Sequence, residues 1–274
     1  MKISYLNHSE EVVSEKPHVL AIGFFDGVHL GHQELLQQAS RVTKEKDFQF
    51  SVMTFDPHPD EVIKGHKNRK CLMPLPQKIT KMESLGVDEL FIINFDHAFA
   101  SLSPAEFVRK YILQLNAKHV VVGFDFTFGY KAQGNTEYLH DKSQKHGFDL
   151  SVIPKRTYLH EKISSTRIKD LVQEGNVDEI PNYLGENYKI SVNVYQKVTG
   201  EIILKHSSYA LLPTIGMYLV EIKQSEKVWH GKYYQYSTDL EDNQLILEEG
   251  NHSLNGICMI AFLTKIKEAE NLYV

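Results

Sequence analysis

Five short apolar runs, each followed by an amphipathic or polar stretch, constrain this 274-residue chain more than any other feature. They are Val19–Phe24, Phe48–Phe55, Glu89–Phe95, His119–Phe124 and Phe148–Ile153. All are rich in β-branched and aromatic residues and run continuously rather than alternating, as parallel strands buried on both faces do. Helical patterns lie between them. Leu30–Lys46 sets Leu35, Leu36, Ala39 and Val42 on one face. Ser103–Leu115 opens on a capping box, with Ser103 as cap, Pro104 at the first helical position and Glu106 reaching back. Pro74–Leu85 and Asn135–His146 complete the alternation, with Gly86 and Gly147 as stops. This order predicts an open parallel sheet wrapped by helices.

After Gly185 the periodicity changes to two. Tyr188–Tyr195, Gly216–Lys223, Lys227–Tyr236, Asn243–Glu248 and Gly256–Ile266 read as strands of a small antiparallel barrel. Two unequal domains are expected, 1–186 and 187–274, as the length also suggests.

Composition narrows the function. Thirty basic residues against 35 acidic give a formal charge of -5, so the chain lacks the basic excess that holds a nucleic acid. No apolar run approaches the roughly 20 residues of a membrane helix. The N-terminus is polar and acidic, unlike a leader peptide. Cys71 and Cys258 are too far apart for a CxxC, so no disulfide framework is implied. A cytoplasmic protein is expected, and its oligomeric state is left open.

An open parallel sheet binds ligands beyond the carboxyl ends of its strands. The segments found there are Gly23–His32 (GFFDGVHLGH), Thr54–Pro59 (TFDPHP), Asn94–His97 (NFDH), Gly123–Gly129 (GFDFTFG) and Ile163–Lys169 (ISSTRIK). Glycine, histidine, aspartate and hydroxyl side chains therefore crowd one rim. Gly23 and Gly27 permit a tight turn, and His29 and His32 share a face where the first helix begins. A helix start with two imidazoles suits phosphate, and Ser164, Ser165 and Thr166 with Arg167 and Lys169 offer a second phosphate site. Each feature also has a plainer reading. The histidines could be a surface pair, Ser164–Thr166 simple helix capping, and the Phe124/Phe126/Phe128 alternation core packing. A zinc site with Asp26, His58 or His97 has no HExxH or cysteine set to support it, and no Walker A lysine pattern is present.

These motifs resemble the nucleotidylyltransferase superfamily, whose patterns are HxGH and ISSTxxR. More closely, IGFFDGVHLGH, TFDPHP, VVGFDFTFG and ISSTRIK, through nearly all of residues 18–188, resemble the prokaryotic FAD synthetase family, riboflavin kinase joined to FMN adenylyltransferase. The resemblance implies an α/β fold, a Rossmann-like open parallel sheet with helices on both faces plus the small C-terminal antiparallel β-barrel domain. It implies transfer of AMP from ATP to FMN with Mg²⁺, giving FAD and pyrophosphate. By matching position, His29 and His32 contact the ATP phosphates. Gly23, Phe24, Asp26 and Gly31 form the ATP loop, with Ser164, Ser165, Thr166, Arg167 and Lys169 on the second helix. Phe55, Pro57, His58, Pro59, Asp125 and Phe128 border the flavin, and Asp125 holds the metal or the flavin phosphate.

Two departures stand out. Lys169 replaces the arginine that closes ISSTxxR, keeping charge but losing the planar fork, so weaker ATP binding is expected. The kinase half's Gly-rich opening and Phe-Pro-Thr-Ala-Asn motif have no match between Tyr188 and Pro213. Gln244 falls near the family's catalytic glutamate and cannot serve as a base. The expectation is an FMN adenylyltransferase with a barrel lacking kinase activity. Its rivals are a bifunctional enzyme, a transferase for another mononucleotide, and a non-catalytic flavin or nucleotide sensor.

Overall fold

The structure is a computed structural model describing residues 1–9, 14, 16–65, 69–196, 202–236, 243–247 and 254–266. By packing, the chain divides into two units. Met1–Arg69 with Leu75–Thr157 form the first, and Lys70–Pro74 with Tyr158–Val274 the second.

In the first unit, six strands form one parallel sheet: β1 (Lys2–Leu6), β2 (His18–Ile22), β3 (Gln49–Asp56), β4 (Glu89–Asn94), β5 (Ala117–Gly123) and β6 (Asp149–Ile153). Their spatial order is β1-β4-β3-β2-β5-β6, so the winding direction reverses between β2 and β5. All five predicted strands are present. The edge strand β1 was not expected. Its outer residues are exposed, and its extension follows from pairing with β4, Lys2 opposite Glu89 through Leu6 opposite Ile93.

The crossovers carry α1 (Leu30–Lys46), α2 (Pro59–Ile63), α3 (Leu75–Ser84), α4 (His97–Ala100), α5 (Pro104–Val108) and α6 (Thr136–His146). Helix α1 buries Leu35, Leu36, Ala39 and Val42, the face its periodicity predicts. The Ser103/Glu106 capping box forms, but the helix it starts passes into a π turn at Arg109–Leu113. Gly147 ends α6 in the left-handed conformation.

The ribbon strands β7 (Thr157–Tyr158) and β8 (Glu161–Lys162) come next in the chain, then α7 (Ser165–Glu174) and α8 (Pro181–Leu184). The rest of the second unit is β9 (Tyr188–Gln196), β10 (Ile202–His206), β11 (Gly216–Gln224), β12 (Lys227–Gln235), β13 (Gln244–Leu247) and β14 (Gly256–Ile266). These six strands form one curled antiparallel sheet, ordered β10-β9-β14-β11-β12-β13, whose edge strands approach each other. The predicted end of the fourth run, Glu248, lies outside the described residues. Strand β10 was not anticipated. Around Phe262 the interior packs the rings of Tyr188, Tyr218 and Tyr233, with centroids at 6.1, 5.6 and 5.3 Å.

The change of strand grammar read from sequence falls at 186/187, whereas packing groups α7 and α8 with the antiparallel sheet. Gly175, the left-handed cap of α7, shows why: a Cβ there would sit 3.0 Å from Tyr218 Oη and 2.9 Å from Thr214 Cγ2.

Candidate active site

The turn after β2 is tightly wound. Phe25, Gly27 and Val28 all take positive φ (56°, 78° and 46°), a strained conformation for the branched Val28. Phe25 and Val28 are fully buried, and this packing holds the strain in place. A Cβ on Gly23 would lie 3.0 Å from the Phe25 ring, a contact that the buried ring would have to shift to relieve.

His29 and His32 come together at the start of α1 but are not equivalent. Their rings stack with centroids 3.6 Å apart and planes inclined by 13°. His29 is the N-cap, only 8% exposed, and its Nδ1 accepts the His32 backbone N–H at 3.2 Å. A ring that accepts through Nδ1 carries its proton on Nε2 when neutral. Gly31 makes room for this arrangement, since a Cβ there would press on His29 at 3.3 Å. His32 is half-buried and meets the edge of Phe25 at 5.2 Å.

A cavity of about 820 Å³ opens beyond the carboxyl ends of the strands, where the winding reverses. Its walls come from the segments that follow four strands: Gly23, Phe24 and His32 after β2, Phe55 and Pro59 at and beyond the end of β3, Phe95 and His97 after β4, and Gly123, Asp125 and Phe128 after β5. A continuous aromatic wall runs across it. Phe55–Phe95, Phe95–Phe99, Phe99–Phe107 and Phe107–Phe128 have centroids 5.9, 5.2, 6.2 and 4.8 Å apart. Asp125 is exposed at the rim, and Gly123 leaves space for its carboxylate.

Other predicted residues stand outside the lining. Asp26 is buried in the turn. Pro57 follows a cis peptide bond, and His58 caps α2 by accepting the Asp60 N–H at 3.0 Å while its ring meets Phe24 edge-on at 4.2 Å. Asp56, beside them, has a raised pKa because the surrounding protein desolvates its carboxylate, with Lys78 pulling the other way.

The second predicted phosphate site belongs to the second unit. Ser164 is the N-cap of α7, its Oγ accepting the Arg167 N–H at 3.3 Å, and Ser165 and Thr166 form the first turn. Arg167 Nε donates to Glu161 at 3.0 Å, and Lys169 Nζ donates to the Lys70 carbonyl at 3.1 Å.

Sequence reasoning missed much of the cavity wall. Phe107 lines it from a segment read only as a helix, and Phe99, Lys64 and Lys131 from positions that drew no reading. The Asn94–His97 rim segment was the one signal pointing to that side.

Residues 12–167 match the model of the family described as FAD synthetase. A bifunctional riboflavin kinase/FMN adenylyltransferase of Listeria monocytogenes is 35% identical over 257 residues, covering 90% of this chain and 82% of its own length. A FAD synthetase of the same organism is 33% identical over 174 residues, 63% of this chain and 70% of its own. A crystal structure described as a macrolide-efflux protein from Streptococcus pneumoniae superposes with a TM-score of 0.85 at 25% identity, covering 97% of this chain and all of the other. Among the described residues, no helix is long and apolar enough to cross a membrane.

Proposed function

The chain belongs to the FAD synthetase family, and on that premise we propose that it is an FMN adenylyltransferase, converting ATP and FMN into FAD and pyrophosphate. One observation carries this reading most: His32 and the Gly23–Phe24 turn share one cavity with Asp125 and an aromatic wall. A flat isoalloxazine ring suits the wall formed by Phe55, Phe95, Phe99, Phe107 and Phe128, and the volume lies within the usual range for ligand sites.

The FMN phosphate is already an anion and attacks the α-phosphorus of ATP in line, so no general base is required. What the site must supply is alignment of two anions and neutralisation of charge gathering on the phosphoryl oxygens. The stacked pair does this from the start of α1, where the helix dipole also favours negative charge. His29, nearly buried and outside the cavity lining, is held through Nδ1 and backs the His32 ring. His32, on the cavity wall, is the more exposed of the two. Gly23, Phe24, Asp26 and Gly31 shape the turn around the polyphosphate. Ser164, Ser165, Thr166, Arg167 and Lys169 supply the second phosphate site, with Lys169 a point charge where the family pattern has arginine. Pro57, His58 and Pro59 border the flavin.

Mg²⁺ fits this set in one way. Among the described residues no three acidic, histidine or cysteine side chains form a metal-holding cluster. Mg²⁺ in nucleotide sites commonly rests on substrate phosphates and one or two carboxylates, and Asp125 is the carboxylate we assign. The ion would offset charge on the triphosphate. With ATP and FMN as its substrates, we assign the reaction to the cytoplasm.

The names of the relatives favour a second, bifunctional reading. Against it stand the unmatched kinase motif and Gln244, an exposed side chain on β13. We assign adenylyl transfer alone. The deciding assay offers ATP with riboflavin, FMN or unrelated mononucleotides and follows pyrophosphate and flavin products. FAD from FMN alone supports the reading; FMN formed from riboflavin restores the kinase, and turnover on another mononucleotide replaces the acceptor.

A further inference from the structure

Helix α3 buries two side chains, Lys78 and Met82, four residues apart on one face. The core position at 78 therefore holds a cation. Lys78 is 2% exposed, and among the described residues no other lysine or arginine is buried. An ammonium loses its hydration at such a site, where a methionine would pack without that penalty. Its contacts indicate what the charge does. Nζ donates to the Phe24 carbonyl at 2.6 Å, lies 3.3 Å from Thr54 Oγ1 and stands 4.0 Å from the Phe24 ring centroid. The Thr54 hydroxyl donates to the same carbonyl at 3.0 Å.

Two donors thus draw one carbonyl inward, and that carbonyl belongs to the turn on the cavity wall. In a trans peptide the C=O and the following N–H point in opposite directions. Fixing the Phe24 oxygen toward Lys78 directs the Phe25 N–H away from it and keeps a partial negative charge from facing a polyanion. Phe25 is also the first residue of the turn at positive φ, a conformation that persists only where its surroundings hold it. Thr54 and Asp56 belong to the end of β3, and Phe55 between them lines the cavity.

Resting on the adenylyltransferase reading above, we infer that Lys78 is a positioning residue for the reaction. It locks the Phe24–Phe25 peptide in the orientation that receives the polyphosphate and ties this turn to the strand end beside the flavin. It touches neither substrate and acts through the backbone.

The test compares wild type, Lys78→Met and Thr54→Val for pyrophosphate release with ATP and FMN, expressed per FMN-binding site titrated by flavin fluorescence. Lys78→Met should lower kcat by about 100-fold, the scale of a misplaced reacting group, and raise KM for ATP, while FMN affinity stays within about threefold. Thr54→Val, which removes one of the two donors, should lower kcat by about fivefold, the scale of one hydrogen bond. A purely structural lysine would reduce the number of FMN-binding sites but leave turnover per site unchanged, and that result overturns the inference. If Lys78→Met does not fold, Thr54→Val decides, and an unchanged kcat there also overturns it. Wild type that releases no pyrophosphate defeats the adenylyltransferase reading instead.

Discussion

The rim of the parallel sheet and the interior of the antiparallel one are both dense in aromatic rings, and they use them differently. In the first unit Phe55, Phe95, Phe99, Phe107 and Phe128 border a cavity of about 820 Å³, and all but Phe55 are also buried members of the core beneath it. In the second, Tyr188, Tyr218 and Tyr233 close upon Phe262. The difference follows from topology. A parallel sheet whose winding reverses leaves a crevice between diverging connections, whereas a curled antiparallel sheet directs alternate side chains into one interior. Aromatic content alone therefore does not mark a site; the strand order decides whether rings become wall or filling.

The largest effect that could break this contrast is Phe262→Ala. If the ring is filling, its loss should cost about 3–5 kcal/mol in the unfolding of the second unit, with flavin affinity unchanged. Calorimetry and flavin titration measure the two together, and a fall in flavin affinity at full folding would make the second interior part of a site. A smaller effect sharpens the same point. Among the described residues the buried Tyr233 hydroxyl has no hydrogen-bond partner, and burial pushes its pKa far up. Tyr233→Phe removes an unpaired polar group and should raise stability by about 1 kcal/mol in denaturant titration. A loss instead would reveal a partner for the hydroxyl.

Much of this contrast was legible in the residues, and the exceptions share a cause. Continuous apolar runs against alternating ones separated the two sheets, and helix α1 could be read from Leu35, Leu36, Ala39 and Val42. The strand β1 could not, because Lys2–Leu6 owes its conformation to pairing with β4 rather than to its own pattern. In the site, the three-residue spacing of His29 and His32 implied a shared face, and the rings do stack. That His29 also caps its helix, and that Phe99 and Phe107 reach the cavity, depends on tertiary convergence that no local pattern encodes. Lys78 left a faint trace, a lysine four residues before Met82 where a core side chain belongs.

The smallest predicted effect lies at the opposite end of the parallel sheet from the cavity. His18 is fully buried at the start of β2, with Ser14 and Ser51 hydroxyls each 2.6 Å from a ring nitrogen. Desolvation lowers its pKa, with Glu89 opposing. The unfolded chain regains the ordinary value of 6.5 and takes up a proton that the folded chain resists. Stability should therefore be full above pH 6.5 and fall as pH drops below it toward the depressed folded value. His119, lowered for the same cause, adds to the slope. Urea midpoints across this range check the sign, and His18→Asn should flatten the dependence. A midpoint that rises on acidification would contradict the neutral buried ring.

The most direct measurement of the central claim is the single-turnover rate of FAD formation by His32→Ala at saturating ATP and FMN, alongside its FMN dissociation constant. If the stacked imidazoles stabilise the charge that develops during adenylyl transfer, the rate should fall by about 10²–10³-fold while FMN affinity stays within about threefold. A rate that holds, or a rate and an affinity that fall together, would contradict the claim.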